Sequence, residues 1–179
     1  MKKVFISAMA FLTFAVVNAQ DASEGPTSKG KFLIEANTGK PTIGSTSIGF
    51  YTSDGNSSYN IGLDGGYFVM DDLAIKGGLG FNGFSGDSYT ESAISYRLGA
   101  KYYIKSKIPV TLDITGASGK LAENFIGETP LWLGIGAGYA WFVSQNISIE
   151  PGLRYNQSLN ENYSEKGSFQ FNVGFVLHF

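Results

Sequence analysis

The stretch Asn172-Val173-Gly174-Phe175-Val176-Leu177-His178-Phe179 decides the fold of this chain. It closes a longer run, beginning near Ser168, in which every second residue is large and apolar. A period of two over this length predicts a β-strand with one apolar face. An edge strand of a soluble β-sandwich is the alternative that this pattern leaves open. The alternating apolar residues are Phe169, Phe171, Val173, Phe175, Leu177 and Phe179.

The N-terminus has the layout of a secretory signal peptide. Met1-Lys2-Lys3 is a basic start, residues 4–17 form an apolar run, and Val17-Asn18-Ala19 offers small residues before a cleavage site. We therefore predict cleavage after Ala19 and remove residues 1–19 from the fold argument. The apolar run is too short for a membrane-spanning helix. The sequence then divides into this signal peptide, a flexible periplasmic leader over 20–30, and one β-barrel domain over 31–179.

Composition and charge favour strands and argue against nucleic-acid binding. The 179 residues include 24 glycines, 10 tyrosines and 14 phenylalanines; aromatic residues favour strands, and glycine is poor in helix interiors. The 13 basic residues include Lys2 and Lys3, so 11 basic and 15 acidic residues remain after cleavage, a formal charge of −4. This acidity predicts no nucleic-acid partner. The chain has no cysteine, which excludes a lipid anchor on cysteine and a disulfide framework.

The strand pattern predicts an all-β fold, an eight-stranded antiparallel up-and-down transmembrane β-barrel. Short turns near 69–72, 105–108 and 144–146 alternate with longer polar connections, as in outer-membrane barrels. An even number of strands places both termini on the short-turn, periplasmic side. Residues 47–51 in the first long connection are expected to extend the first hairpin. The predicted strands cover 31–38, 57–69, 73–84, 91–104, 109–116, 129–143, 147–157 and 167–179.

Alternation within the strands predicts an apolar face toward lipid and a polar face toward the lumen. In the fourth predicted strand, for example, Tyr96, Leu98 and Tyr102 share the apolar face. A soluble, lipocalin-like barrel would reverse this arrangement and turn the apolar set inward. Aromatic residues near both strand ends favour the membrane orientation. Two glycine pairs, Gly65-Gly66 and Gly77-Gly78, are predicted to mark β-bulges.

Eight charged residues fall on the inward parity, four acidic and four basic. Buried charges cost several kcal/mol each unless they are paired, so we predict a packed ion network that closes the narrow lumen. A selective channel lining is the alternative. Five aromatic residues of the same parity are expected to cap the network: Phe68, Phe84, Tyr103, Trp132 and Phe142. The predicted network residues are Glu35, Asp64, Lys76, Arg97, Lys101, Asp113, Glu150 and Arg154.

The sequence contains no convincing catalytic or cofactor-binding motif. Residues 78–83 match G-x-G-x-x-G, but no helix or βαβ unit follows them, as a dinucleotide site requires. The single histidine, His178, lies near the periplasmic end, and without cysteine the common nucleophile–base pairs lack a member. We therefore predict no enzyme activity, no cofactor and no metal site.

The mature chain resembles the small OmpA/OmpX-type bacterial outer-membrane β-barrel family. The resemblance rests on Val17-Asn18-Ala19, the eight-strand pattern and the terminal stretch over 172–179. It implies a Gram-negative cell outer membrane, with the lipid bilayer and the barrel-insertion machinery as partners. It also implies that the terminal strand carries a sorting signal, whose residues are Asn172, Gly174, Leu177 and Phe179.

For activity, the resemblance leaves three expectations. The first is a closed structural or surface-interaction barrel that contacts an unidentified extracellular partner through its loops. The second is a narrow porin-like channel for small solutes. The third, an enzyme acting at the barrel rim, lacks clustered catalytic side chains in the loops.

Overall fold

A computed structural model describes residues 25–39, 46–86 and 89–179 of the chain. Ala19 and its predicted cleavage site lie outside these ranges. In the same ranges no helix is long and apolar enough to cross a membrane. The described residues form one 3₁₀ turn, Lys120–Ala122, and ten strands: β1 Phe32–Asn37, β2 Gly49–Ser53, β3 Asn56–Met70, β4 Leu73–Ser85, β5 Thr90–Ile104, β6 Ile108–Ser118, β7 Leu131–Gly138, β8 Trp141–Ser144, β9 Ile147–Ser158 and β10 Ser168–His178.

These strands form a closed antiparallel barrel. The first strand pairs with the last, Leu33 opposite His178, and also with β3, Ile34 opposite Gly65. Strands β7 and β8 both pair with β9 and make one interrupted row, while β2 follows β1 along the same edge of β3. Counting each interrupted row once gives eight rows among the described residues, so the predicted eight-stranded antiparallel barrel is confirmed. Residues 47–51 were predicted to extend the first hairpin. This is confirmed from Gly49 onward, where β2 pairs with the beginning of β3.

The β3–β4 register corrects the predicted bulges. Gly65 pairs with Gly77 and Gly66 pairs with Lys76 without interruption, so the glycine pairs do not mark bulges. The register shifts instead between Phe68 and Met70, beside the turn. The inward glycines admit close neighbours: a Cβ on Gly78 would overlap the carboxylate of Asp64. In this hairpin glycine makes room for inward side chains.

Residues 25–30 differ from the flexible leader expected over 20–30. Thr27 is buried and its hydroxyl donates to Asp72 Oδ1 at 2.5 Å. The backbone N–H of Lys29 donates to Asp71 Oδ1 at 2.8 Å, and that of Gly30 to the Phe68 carbonyl at 2.9 Å. The two aspartate carboxylates of the β3–β4 turn accept from one side-chain hydroxyl and one backbone N–H of this segment. This segment is therefore fastened across the turn end of the barrel.

The two barrel faces have opposite chemistry. Leu79, Leu98 and Leu153 expose 69%, 67% and 64% of their surface on the outside. Inside, charged and amide side chains are buried, among them Lys101 and Asn156. The alternation of strand residues produces both faces, since successive side chains point to opposite sides of a sheet.

The lumen has two apolar groups, one near each end. The turn-end cluster consists of Leu33, Phe68, Ala74, Tyr103, Ala140 and Val176. Phe142 packs against this cluster. The loop-end group is smaller and contains Ala93, Ala117 and Ala122, with Leu121 against them. The charged residues lie between these two groups.

Candidate functional site

All eight predicted network residues lie inside the barrel, on six strands. Each is buried, with an exposed fraction of 7% or less. Residues four apart on one strand share a face, which places Arg97 with Lys101 on β5 and Glu150 with Arg154 on β9. Their ion pairs connect them into one chain of alternating charge, here called the ion chain: Glu150, Lys101, Glu35, Lys76, Asp64, Arg97, Asp113 and Arg154.

The first half of the ion chain is built from two lysines and the carboxylates that they share. Lys101 Nζ lies 2.5 Å from Glu150 Oε2 and 2.8 Å from Glu35 Oε2. Lys76 Nζ lies 2.6 Å from the same Glu35 oxygen and 3.0 Å from Asp64 Oδ2. Glu35 of β1 therefore joins lysines from β4 and β5 across the lumen.

The second half is built from arginines. Arg97 Nη1 donates to Asp64 Oδ2 at 2.7 Å, and its Nε lies 3.8 Å from Asp113 Oδ1. Both terminal nitrogens of Arg154 contact the Asp113 carboxylate, at 2.5 and 2.6 Å. Such two-point pairing fixes the planes of both groups. The Arg154 Nε donates to Asn156 Oδ1 at 2.7 Å, which completes the guanidinium's environment.

Glycines make space for charged side chains of the ion chain. A Cβ on Gly134 would overlap the Arg154 guanidinium, and one on Gly99 would overlap Asp113 and the Leu112 carbonyl. Lumen positions opposite a large charged group are thus held by the smallest residue. The ion chain fits the narrow barrel because its neighbours have no side chain.

Beyond the eight charged residues, Ser148, His178 and the predicted cap Tyr103 form a polar group that extends the ion chain toward the turn end. Tyr103 Oη and Ser148 Oγ donate to Glu150 Oε1 at 2.9 and 2.8 Å. Ser148 Oγ also lies 3.0 Å from Nε2 of His178, whose ring packs against Phe68 at 6.2 Å between centroids. Parity places His178 inward, but only the β9–β10 register shows that it meets Ser148.

The Ser–His contact is closed off from solvent. Ser148 and His178 expose 0% and 1% of their surface, beneath the turn-end cluster. A hydrolytic nucleophile has to reach a substrate carbonyl, whereas the Ser148 side chain is fully buried in this structure. The contact instead ties the terminal strand to Glu150.

A small cavity adjoins the ion chain. A cavity of about 50 Å³ lies among its residues, with Gln170 and Asn172 on the wall. A space of this size holds about one or two water molecules. Within the described residues, no group of three or more histidine, aspartate or glutamate side chains is arranged to hold a metal ion.

The predicted sorting residues lie in or directly after β10, the strand whose pairing with β1 closes the barrel. Gly174 pairs with Asn37 on one side and Glu150 on the other. Leu177 faces outward, Asn172 is half-buried, and the ring of Phe179 stacks on that of Phe32 at 6.1 Å. Recognition of these residues by an insertion machinery stays a prediction, as does cleavage after Ala19.

The loop end presents an ordered apolar tip. Phe125 and Ile126 are exposed at 111% and 73%, on a turn in which Asn124 Oδ1 accepts from the N–H groups of Ile126 and Glu128. Asn124 Nδ2 donates to the Asn162 carbonyl at 3.0 Å, which braces the neighbouring loop. At the base of the loop Glu123 accepts a hydrogen bond from Lys120 at 2.8 Å, which raises the pKa of that ammonium.

Charge is distributed unevenly along the barrel axis. In the part of the chain that the structure describes, the loop end carries six carboxylates against the ammonium groups of Lys120 and Lys166. The ion chain is balanced, with four charges of each sign. The carboxylates of the loop end are Asp54, Glu91, Glu123, Glu128, Glu161 and Glu165.

Comparison with known proteins finds similar shapes and no close sequence relative. No family model matches the chain, and no curated protein matches it. The N-terminal β-barrel domain of Pseudomonas aeruginosa OprF is 18% identical, with a TM-score of 0.49, covering 84% of this chain and 98% of that one. Yersinia pestis outer membrane protein Ail, in a phospholipid bilayer nanodisc, is 15% identical, with a TM-score of 0.49 and coverage of 84% and 100%.

The outer membrane protein AlkL, in lipid bilayers, is 12% identical, with a TM-score of 0.44 and coverage of 90% of this chain and 92% of that one. These proteins are what the chain is similar to in shape. The assignment of its own fold rests on the strand pairing: the protein is a closed, eight-stranded antiparallel β-barrel with a charged interior.

Proposed function

We propose that the protein is an integral outer-membrane β-barrel with a closed lumen, which acts through its surface. The observation that carries this proposal is the inverted distribution of side chains. Eight charged residues are buried inside, while leucines such as Leu79 and Leu98 are largely exposed outside. In water such a surface would expose a large apolar area, whereas in a bilayer it is solvated by acyl chains.

Outward aromatic residues support the same orientation. Near the turn end Phe32 packs against Tyr67 at 5.0 Å, and near the loop end Tyr59 packs against Phe81 at 6.0 Å between ring centroids. Tyrosine and tryptophan at two levels of a barrel correspond to the two membrane–water interfaces. The connection lengths agree, since the short turns β3–β4, β5–β6 and β8–β9 lie at one end, and the opposite end has the longer β6–β7 and β9–β10 connections besides the tight Asp54-Gly55 turn.

Spin labels test this orientation. Labels at Leu98 and Leu153, in the middle of the exposed apolar surface, should be relaxed by oxygen dissolved in lipid and protected from a water-soluble nickel reagent. A label at Lys120 in the loop is the matched control and should show the opposite preference. Labels at Leu98 and Leu153 that respond mainly to the nickel reagent would contradict the membrane orientation.

The ion chain and the turn-end cluster support a closed lumen. A conducting path past Lys101 would have to separate it from Glu35 and Glu150, at 2.8 and 2.5 Å. Removing one partner of a buried ion pair costs about 3–5 kcal/mol, so thermal opening of this path is rare. Below it Phe68 and Tyr103 are fully buried and fill the turn end.

Planar-bilayer recordings separate the closed barrel from the alternative, a narrow porin-like channel. The wild-type protein should be silent, and the double variant Lys101→Ala with Phe68→Ala should show small, cation-preferring steps, because it removes the lysine between Glu35 and Glu150 and a ring that fills the turn end. Lys120→Ala in the loop is the matched control and should stay silent. Steady conductance steps from the pure wild-type protein would reject the closed lumen and favour the channel.

With a closed lumen, the loops are the surface left for interaction. The braced tip of Phe125 and Ile126 offers two exposed apolar side chains without the entropy cost of ordering a mobile loop. The surrounding carboxylates favour a basic partner surface. We therefore place the contact function at this end of the barrel.

A further inference from the structure

A second cavity lies at the loop end of the lumen, apart from the ion chain. It has a volume of about 260 Å³, several times that of the space among the charged residues. The 3₁₀ turn over Lys120–Ala122 forms one side, and the upper parts of β3, β4, β5 and β6 form the rest. We call it the loop-end cavity.

Small residues create this cavity. Ala93, Ala117 and Ala122 are buried on its wall, at inward positions where the other end of the lumen has Phe68 and Tyr103. A barrel of eight strands is narrow enough to be filled completely by side chains. The alanines therefore leave volume that the fold does not require.

The wall has an apolar side and a polar side. Phe84, Leu121 and the three alanines supply the apolar part, while Ser58, Asn60 and Asn82 supply the polar part. None of the ten lining residues is charged. Ions lose hydration that this wall cannot replace, so the cavity selects against charged ligands.

Asn82 is the polar group best placed to bind a ligand. It is 95% buried, with an exposed fraction of 5%, and its Nδ2 makes only long hydrogen bonds, at 3.3 Å to Ser95 Oγ and 3.5 Å to the Ala93 carbonyl. Buried amides usually satisfy their donors and acceptors at shorter distances. A hydroxyl in the cavity would offer Asn82 a stronger partner.

We propose that the loop-end cavity binds small neutral molecules with one aromatic ring and one hydroxyl group, the chemical class of simple phenols. A cavity of about 150 Å³ takes up a benzene ring, so 260 Å³ accommodates a substituted ring. The ring packs against the alanines and Phe84, and the hydroxyl meets Asn82. The ion chain lies below, so the site is a blind pocket and binding does not depend on transport.

The test uses the full mature protein in lipid nanodiscs and two fluorinated probes. Fluorine NMR should detect saturable binding of 4-fluorophenol, one molecule per barrel. Fluorobenzene, which lacks the hydroxyl, should bind at least tenfold more weakly. 4-Fluorobenzoate, an anion at neutral pH, should not bind. Empty nanodiscs measure partitioning of each probe into lipid.

Two cavity-filling variants and one matched control locate the site. Ala117→Leu and Ala93→Leu should each weaken 4-fluorophenol binding at least tenfold, since leucine occupies the volume. Ala100→Leu, on the outward face of β5, should leave binding unchanged. Folding of each variant is checked by circular dichroism and by resistance to unfolding in detergent. If only one of the two cavity-filling variants folds, that variant alone is enough to locate the site. Asn82→Leu should remove the preference for 4-fluorophenol over fluorobenzene.

Three results would overturn the proposal. One is non-saturable uptake equal to that of empty nanodiscs. Another is binding that persists in a folded Ala117→Leu or Ala93→Leu barrel. The third is occupation by lipid, seen as magnetisation transfer between the Ala117 methyl group and acyl chains that 4-fluorophenol does not displace.

Discussion

The turn-end half of the lumen is filled, whereas the loop-end half contains an open cavity. The filled half has Phe68, Tyr103 and Lys101, all fully buried, with about 50 Å³ of free space in the ion chain. The other half has alanines at the equivalent inward positions and about 260 Å³ of space. Strand alternation is the same in both halves, so the difference comes from which side chains point inward at each end.

This comparison separates two properties that a barrel scaffold combines. The closed lumen that we propose depends on a few large and charged residues near the turn end. Capacity for a ligand depends on small residues near the loops. Changes in one half should therefore leave the other property intact, because ΔΔG values of distant sites are close to additive.

The largest effect is expected from Asp113→Asn in the ion chain. Arg154 would keep only neutral partners, Asn156 and the amide that replaces the carboxylate, and an uncompensated buried charge costs about 3–5 kcal/mol. The measurement is the free energy of unfolding in urea with the barrel in lipid vesicles. The double variant Asp113→Asn with Arg154→Met should recover most of this loss, because no charge is left unpaired. Equal losses in the single and double variants would contradict the pairing role.

A smaller change in unfolding free energy is expected when alanine is replaced by leucine, and it should differ between the two halves of the lumen. Ala74→Leu in the turn-end cluster should destabilise by about 1–3 kcal/mol, because that region has no room for extra methyl groups. Ala117→Leu should be neutral or stabilising, since it fills existing space. Both are measured by the same unfolding assay. Equal destabilisation by the two variants would show that the loop-end half is packed as tightly as the turn-end half.

The smallest effect is expected from Glu123→Gln. This residue pairs with Lys120 at 2.8 Å, as close as Glu35 to Lys101, but Lys120 is exposed. Exposed pairs contribute about 0–1 kcal/mol, so the unfolding free energy should hardly change and the apparent pKa of Lys120 should fall. The pKa is followed by NMR titration of the lysine side chain. A loss as large as that of Asp113→Asn would mean that burial does not determine the strength of these pairs.

Much of the fold could be predicted because strand alternation is a local signal. A period of two assigned Leu98 to the outside and Arg97 to the inside without any knowledge of pairing. Turn length then gave the up-and-down order, and the eight-stranded antiparallel barrel is confirmed. Parity also brought together the eight charged residues that the structure joins in the ion chain.

The remaining features depend on register and on packing between distant strands. Ser148 meets His178 only because β9 and β10 pair with Ser148 opposite Val176. The leader was expected to be flexible because its composition is polar, yet Asp71 and Asp72 provide acceptors from 42 or more residues away. The loop-end cavity could not be predicted either. Ala93 and Ala117 show in the sequence that two side chains are small, but not whether a neighbouring side chain fills the space beside them.

Glu35 belongs to the first strand but completes a network of later ones. Lys76 and Lys101 share its Oε2 atom, and β1 reaches them by pairing with β3 and β10. Because β1 pairs with β3 on one side and with the last strand on the other, Glu35 stands at the edge where the sheet closes. Two lysine charges of the lumen thus depend on a carboxylate at this closure, so loss of the β1–β10 pairing would also disturb the charge balance of the interior.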